Sequence, residues 1–426
     1  FALGCKVNQY ESEAIAELFA EKGYEIVGID EEADVYVINT CTVTNFGDKK
    51  SRQLIRKVKR QNENAIVAVV GCYAQTAPKE LMEIAGVNLV IGTKDRAQIV
   101  EMVEQYDRAN GVENHVSDIM KERVFEPLSI QKLANRTRAY LKIQDGCSQY
   151  CSYCIIPYAR GPIRSREPQE VVAEVKRLAE NGFKEVVLTG IHVASYGKDR
   201  RDTSLLDILK QVHEVEGIER IRFSSIEPNV VTEEFAQTMA ALPKVCDHFH
   251  LSLQSGCDKT LKEMNRKYDT EKYRQAVATL RKYLPKVALT TDIIVGFPGE
   301  TEEDFRESYA FAEEIGFAKI HVFPYSPKRG TPAAARKDQL LNAVKSERSH
   351  TLIQLSDRMA ADFLADAVGT DAEVLYERAV GDGIYEGHTT NYMKVHGRSE
   401  ADLTNRIAKT HITRAEGEML FGDVEA

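Results

Sequence analysis

The stretch AYLKIQDGCSQYCSYC, residues 139 to 154, runs a strand into a loop that carries Cys147, Cys151 and Cys154. Five more strand-like runs follow, EVVLT, RIRFS, HFHLSL, ALTTDIIV and KIHVFP, each leading into a helical stretch. Six strand-helix units in succession predict an incomplete barrel, a partial (β/α)6, over residues 133–366, closed by a long amphipathic stretch from about 339 to 366. In such barrels function sits at the carboxyl ends of the strands. The three cysteines directly follow the first strand, so their shared loop lies where chemistry is expected.

Three intervening residues and then two pack three thiolates into that loop. A zinc site normally has a fourth Cys or His close by, with paired two-residue spacings, and no fourth ligand follows here. Three thiolates instead leave one corner of a cubic iron-sulfur cluster without a protein ligand, and an open metal position is where a small molecule binds and reacts.

Toward the amino terminus, residues 1 to about 105 alternate apolar runs at 1–4, 35–39, 66–70 and 89–91 with helical segments near 10–22, 48–61 and 78–85. Such alternation predicts an open parallel α/β sheet with helices on its faces. Cys5 follows FALG, Cys41 follows VYVINT and Cys72 follows VAVVG. All three therefore stand just past a strand's carboxyl end, and in an open parallel sheet those ends share the edge where ligands bind. Buried hydrophobic thiols are the plain alternative for scattered cysteines; the common placement favours a second three-thiolate site. Cys246 and Cys257 fit neither set and read as structural. His248 and His250 share one strand face and read as packed side chains rather than metal ligands.

Residues 106–132 are polar and acidic and read as a linker. Over 367–426 the texture changes to short alternating runs broken by glycines, which predicts a small all-β barrel. The whole chain, 426 residues with 43% hydrophobic and 28% charged residues, is of a size for roughly two to three globular domains. Its longest apolar runs, such as AIVAVV at 65–70, are far too short to span a bilayer. Nothing resembles a signal peptide, so the cytoplasm is the expected compartment and no membrane partner is expected. In a reducing compartment, eight cysteines point to ligands, catalysts or core residues rather than disulfides. The chain opens at Phe1 inside a strand-like stretch, so a few native residues, the initiator methionine included, are expected to precede it.

Cys147, Cys151 and Cys154, with the aromatic Tyr153 before the last, resemble the cluster motif of the radical S-adenosylmethionine (SAM) superfamily. The words GCKVNQYES, INTCTVTNFGDKKSR and VVGCYAQ resemble the methylthiotransferase family. That resemblance covers essentially the whole chain. It implies an amino-terminal cluster domain over 1–105, a radical SAM barrel over 133–366 and a TRAM-type β-barrel over 367–426. It also implies two 4Fe-4S clusters, one held by Cys5, Cys41 and Cys72 and one by Cys147, Cys151 and Cys154, with SAM as the second cofactor. Gly190 in LTGIH, Glu227 in SSIEP, Gln254 in LSLQSG and Asp292 in TTDIIVGFPGE, together with Tyr153, resemble the superfamily's SAM pocket. A strand-end turn for Gly190 and core hydrogen bonding for Asp292 are the competing readings.

In that superfamily the free iron is chelated by the amino and carboxylate groups of SAM, and an electron passed to the sulfonium yields methionine and a 5'-deoxyadenosyl radical. Methylthiotransferases replace a hydrogen at an unreactive carbon by sulfur and a methyl group. By resemblance, one SAM methylates a sulfur attached to the cluster of Cys5, Cys41 and Cys72. A second, cleaved at the other cluster, supplies the radical that removes the substrate hydrogen. All six cysteines are thus implied in catalysis, with an electron donor of flavodoxin or ferredoxin type and a sulfur donor as partners.

Three substrates compete within the family: isopentenyl-adenosine in tRNA, threonylcarbamoyl-adenosine in tRNA, and an aspartate of a ribosomal protein. The first usually goes with Gln-Met-Asn after the first Cys and the last with Pro-Lys-Asn; Lys6, Val7 and Asn8 match neither, and the run resembles the threonylcarbamoyl-adenosine branch. The expected product is the 2-methylthio derivative of that base next to the anticodon. A non-catalytic iron-sulfur scaffold or electron carrier is the alternative of another class.

Net charge is -9, yet Lys49, Lys50, Arg52, Arg56, Lys57, Lys59 and Arg60 begin eight residues after Cys41 with no acid among them. Arg136, Arg138, Lys142, Arg160, Arg164 and Arg166 flank the other cysteine set. Phosphate contacts from Lys49, Lys50, Arg52, Arg136, Arg138, Arg160, Arg164 and Arg166 are expected to position an anticodon stem-loop. A solvated basic face is the alternative for the first run; proximity to both cysteine sets favours RNA. An anticodon loop also presents a base already unpaired. Residues 366–426 hold twelve acids against six Lys and Arg, leaving Tyr392, Lys394, His396 and Arg398 as a local RNA face on the last barrel.

Overall fold

Val35–Thr40 (β1), Ile66–Gly71 (β2), Leu89–Ile91 (β3) and Glu113–His115 (β4) form one parallel sheet in that order. The computed structural model describes residues 1–130 and 137–425. β1 and β2 are rich in valine and isoleucine because both of their faces are covered. Lys6–Glu21 (α1) and Ile99–Gln105 (α5) bury Ile15, Phe19, Ile99 and Val103 against Ala68 and Val70. Asn45–Gln61 (α2), Cys72–Thr76 (α3) and Pro78–Met82 (α4) bury Ile55, Val58, Tyr73 and Leu81 against Val67 and Val69 on the other face. Thr44 starts α2 by accepting the Gly47 N–H on its side chain, the usual N-cap device.

Two sequence expectations are corrected here. The stretch 1–4 is a single parallel bridge, Ala2 to Asn39, with the Leu3 N–H donating to the Asn39 carbonyl at 2.9 Å. The stretch 106–132 is more than a linker: β4 extends the sheet, and Ile119, Leu128 and Ile130 are buried. β4 was hidden because a three-residue edge strand pairs on one side only and tolerates the polar sequence ENH.

Arg138–Asp145 (β5) leads through Ile156–Arg160 (α6) to Arg164–Ser165 (β6), which returns antiparallel onto the end of β5. Pro168–Glu180 (α7), Glu185–Gly190 (β7), Leu205–His213 (α8), Arg220–Phe223 (β8), Glu233–Ala241 (α9) and His248–His250 (β9) continue the alternation. Asp258–Glu263 (α10), Thr270–Tyr283 (α11), Ala288–Val295 (β10), Glu302–Ile315 (α12), Lys319–Pro324 (β11) and Asn342–Ala365 (α13) complete it. β5, β7 and β8 pair in parallel, as do β9, β10 and β11. Bridges from Ile221 to Val245 and Ile226 to Leu251 join the two groups into one curved wall of six parallel strands, the expected partial barrel. The largest apolar core lies between this wall and its helices, with Leu141, Val175, Leu188, Ile208, Phe249, Tyr273 and Ile293 at its centre. Ser356 of α13 accepts the Ile320 N–H of β11 at 3.0 Å and covers the last strand.

Asp371–Gly381 (β12), Ile384–Thr389 (β13), Lys394–Arg398 (β14), Arg406–Glu416 (β15) and Met419–Val424 (β16) close into a five-stranded barrel around Val374, Tyr376, Val395, Ile412 and Leu420. It caps the amino-terminal end of the large barrel. Arg220 donates to the carbonyls of His388 and Glu373 at 2.8 and 2.9 Å, and Arg222 to that of Thr390 at 3.0 Å. Among the described residues no helix is long and apolar enough to cross a membrane.

Candidate active site

Cys5 stands at the N-terminus of α1, Cys41 just beyond β1, and Cys72 opens α3 directly after β2. Sheet topology thus brings thiols 36 and 31 positions apart to one edge. Gly4 allows the closest approach: its φ is +96°, and a Cβ there would lie 2.6 Å from Cys41 Cβ. Burial, reinforced by Cys72, pushes the Cys41 thiol up to about 12. Burial likewise raises Cys72, and Cys5 adds to the shift. Cys41 and Cys72 therefore hold their protons until a cation replaces them.

The second set is organised by the loop after β5. Gly146, at φ +73°, passes so close to the Pro162 carbonyl that an added Cβ would lie 1.9 Å from its oxygen. Cys147 donates its N–H to the Gly161 carbonyl at 3.0 Å, and Ser152 donates its own to that of Met264. Burial, with Cys151 adding to it, pushes the Cys154 thiol up to about 12; burial raises Cys147 to about 11. Arg266 Nη1 points at Cys151 Sγ from 3.2 Å, and its Nη2 meets Glu227 Oε1 at 2.8 Å. Among the described residues no three His, Cys, Asp or Glu side chains close on a single metal ion. Two sets of three thiols, each with a guanidinium aimed at one sulfur and no fourth ligand, suit an iron-sulfur cluster, whose irons stand apart.

Arg160 connects the sets. It ends α6, six residues after Cys154, and its Nε donates to Cys72 Sγ at 3.1 Å. Its Nη1 donates to Glu11 Oε1 at 2.5 Å and its Nη2 to Asn8 Oδ1 at 2.7 Å, both on α1. Glu11 also meets Arg96 at 2.5 Å and Lys142 at 2.7 Å, while Asp145 meets Lys142 at 2.6 Å and Arg164 at 3.4 Å. Burial opposes ionisation of Glu11, but Arg160, Arg96 and Lys142 outweigh it and hold the carboxyl well below its usual range. Four cations (Arg96, Lys142, Arg160, Arg164) share three carboxylates (Glu11, Glu126, Asp145), so one positive charge is left beside Cys72. Such an excess favours an anionic thiolate site.

This burial corrects part of the RNA reading. Arg160, Arg164 and Arg166 are 0, 2 and 3% exposed, and Arg166 Nη2 binds Glu174 at 2.6 Å. No phosphate reaches them; they serve the seam between sheet and barrel. Arg138 is mostly buried, paired with Glu377 at 3.1 Å and set against the Tyr392 ring, and Arg136 lies outside the described residues. Arg52 donates to the Tyr73 hydroxyl at 2.7 Å. Lys49 and Lys50 are exposed. Lys394 remains half-exposed, 3.9 Å from Glu386. Tyr392, expected on an RNA face, instead inserts under the large barrel and stacks on His248 and His388 at 5.0 and 4.9 Å.

The residues read as a SAM pocket line the mouth and wall of the barrel. Gly190 ends β7 where an added Cβ would lie 2.8 Å from Gln144 Oε1. Glu227 is buried, in contact with Arg266, Gln149 and, at 3.2 Å, His192. Gln254 holds a left-handed φ of 72° and donates its N–H to the Asp292 carbonyl at 2.8 Å; strain of this kind collects at functional sites. Asp292 pairs with His250 at 3.3 Å. Tyr153 packs with Met264, Phe297 and Tyr325 behind the cysteine loop. Sequence reasoning missed Arg266, which lies in no quoted motif, the roles of Asn8 and Glu11 inside GCKVNQYES, and the exposed aromatics Phe46, Tyr150 and Tyr158 around the cysteine loops.

Residues 141–312 match the radical SAM superfamily and residues 1–92 match an uncharacterized protein family, UPF0004. The chain is 47% identical, over 97% of its length and 93% of the relative's, to threonylcarbamoyladenosine tRNA methylthiotransferase MtaB of Bacillus subtilis. It is 39% identical to the protein of that name from Aquifex aeolicus, covering 88% and 91% of the two chains. It is 36% identical to the tRNA-2-methylthio-N(6)-dimethylallyladenosine synthase of Moorella thermoacetica, covering 99% and 96%. In fold it resembles the radical SAM methyltransferase TsrM from Kitasatospora setae, with a TM-score of 0.57 at 16% identity over 76% of this chain and 71% of that one.

Proposed function

The chain belongs to the radical SAM tRNA methylthiotransferase family, and from that premise we propose that it converts threonylcarbamoyl-adenosine next to the anticodon into its 2-methylthio form. A radical SAM enzyme uses a 4Fe-4S cluster and SAM; two clusters, one per cysteine set, belong to the proposal. The observation that carries it is Arg160, which ties the loop of Cys147, Cys151 and Cys154 to Cys72. The two thiol sets thereby share one wall, as a reaction needing both requires. The substrate assignment is supported by relatives of that name at 47% and 39% identity, against 36% for the dimethylallyladenosine synthase of Moorella thermoacetica.

In this reading Cys147, Cys151 and Cys154 hold one cluster, within the barrel domain of 133–366, and Cys5, Cys41 and Cys72 the other, within the amino-terminal sheet domain, which runs past 105 to include β4. Cys147, Cys151 and Cys154 would hold a cluster that, together with SAM, would supply the radical chemistry needed to remove an unactivated hydrogen. Arg266 neutralises charge at Cys151, and Glu227, Gly190, Gln254 and Asp292 shape the cavity beside the cysteine loop. Arg160 and its carboxylates hold Cys72 against that loop and exclude water from the seam. Lys49 and Lys50 place RNA through phosphates, and Phe46, Tyr150 and Tyr158, 63, 41 and 43% exposed, offer rings for unpaired bases to stack on. The TRAM-type barrel, 367–426, steadies the floor of the large barrel. A flavodoxin or ferredoxin supplies the electron, a further donor supplies the sulfur, and the tRNA substrate places the reaction in the cytoplasm.

The test is an anaerobic assay of the reconstituted protein with SAM, a reductant and anticodon stem-loops bearing either threonylcarbamoyl-adenosine or isopentenyl-adenosine. Methylthiolation of the first alone supports the reading; methylthiolation of the second alone refutes it.

A further inference from the structure

We infer that Lys6 is the specificity residue of the substrate pocket, its ammonium binding the carboxylate of the threonylcarbamoyl group. The inference rests on the substrate assignment above and deepens it. Lys6 begins α1 immediately after Cys5, but its side chain leaves the thiol edge and enters the large barrel. Its Nζ lies 6.0 Å from the centroid of the Tyr140 ring on β5. Tyr140 belongs to the inward row of that strand, because Ala139, Leu141 and Ile143 pack outward into the helical core. Tyr392, Arg222, Arg138 and Glu185, all on the wall or floor of the lumen, act on Lys6 electrostatically.

The lumen is an open, polar chamber. On β10 the outward residues Thr291, Ile293 and Val295 are buried, whereas inward Thr290, Asp292 and Ile294 stay partly accessible. On β11, inward His321 and Phe323 are exposed. Tyr392 stops the chamber at its amino-terminal end, held by His248 at 5.0 Å and Arg222 at 4.6 Å. Two of the carboxylates nearby are already engaged, Glu185 by Arg222 at 2.9 Å and Glu377 by Arg138 at 3.1 Å, while Asp292 faces the same lumen 3.3 Å from His250. Lys6 itself is exposed and, among the described residues, enters no ion pair.

A chamber with an unpaired ammonium, walled by hydroxyl and imidazole groups such as Thr290, His250 and His321, suits an anionic, hydroxyl-bearing substituent. It is a poor host for a hydrocarbon chain, which would strip water from Lys6 without replacing it. A site built for a polar group rejects the analogue lacking it far more strongly than an apolar pocket rejects an extra polar group. That asymmetry gives the discrimination between a threonylcarbamoyl and an isopentenyl base a physical origin.

The test uses the reconstituted full chain and fluorescence anisotropy with three anticodon stem-loops. They carry threonylcarbamoyl-adenosine, its carboxylate methyl ester, or unmodified adenosine. The unaltered protein is expected to bind the acid roughly tenfold or more tightly than the ester, as for a charged hydrogen bond. Lys6→Gln is expected to bind acid and ester alike, and Lys6→Arg to keep the preference. Cluster absorbance on the same samples reports folding, and the acid-to-ester comparison on the unaltered protein needs no variant. A Lys6→Gln protein that still prefers the acid, or an unaltered protein that methylthiolates the acid yet binds acid and ester equally, overturns the inference. An unaltered protein that binds the acid no better than unmodified adenosine and makes no product from it overturns the substrate assignment instead.

Discussion

Arg160 Nε donates to Cys72 Sγ across 3.1 Å, joining a helix that follows one cysteine loop to a thiol of the other set. The contact lies in a buried ionic seam, where removing one partner leaves a charge uncompensated. Arg160→Ala is therefore expected to cost about 3–5 kcal/mol of stability, read from urea unfolding of the reconstituted protein, and to release iron from the amino-terminal set first. Unchanged unfolding and iron content would show the contact to be incidental.

The two thiol sets are expected to fail differently. Both Cys5→Ala and Cys147→Ala should abolish the methylthiolated product. Under reduction, Cys5→Ala should still release 5'-deoxyadenosine from SAM, whereas Cys147→Ala should release none. Full product formation by Cys5→Ala would sink the two-cluster account.

Gly4→Ala tests the geometry of the sheet edge. The added methyl group would lie 2.6 Å from Cys41 Cβ at a backbone φ of +96°, a combination the chain can relieve only by shifting Cys5 or Cys41. Iron content is expected to fall to that of Cys5→Ala while SAM cleavage persists. An iron content equal to that of the unaltered chain would mean that the edge yields easily and does not fix Cys5.

Charge reversal separates surface cations from seam cations. Lys49→Glu with Lys50→Glu is expected to weaken tRNA binding and to lower its salt dependence by roughly one unit of slope for each phosphate that is no longer neutralised, with thermal stability unchanged. Arg164→Glu is expected to lower stability, because it sets a second carboxylate beside Asp145. Equal stability of the two variants would return Arg164 to the RNA surface.

The parallel sheet, the partial barrel and the position of Cys41, Cys72 and Cys147 just past strand ends were legible because each depends on local pattern, strand runs of fixed period and the residues that follow them. The charges were not. Arg160, Arg164 and Arg166 look like any basic cluster in sequence, and only the return of β6 onto β5 and the packing of α1 turn them inward onto Glu11, Asp145 and Glu174. Tyr392 was misplaced for a related reason, since the docking of one barrel under another leaves no periodic trace. β4 was missed because three polar edge residues resemble a linker. Lys6 was noticed only as a departure from two family forms; its place in the lumen follows from the direction in which α1 leaves the sheet edge.

The central claim, methylthiolation of threonylcarbamoyl-adenosine, is tested most directly by mass spectrometry of nucleosides from tRNA of a strain lacking the gene. The account predicts loss of 2-methylthio-threonylcarbamoyl-adenosine with 2-methylthio-isopentenyl-adenosine retained. Loss of the isopentenyl product with the threonylcarbamoyl product intact would contradict it.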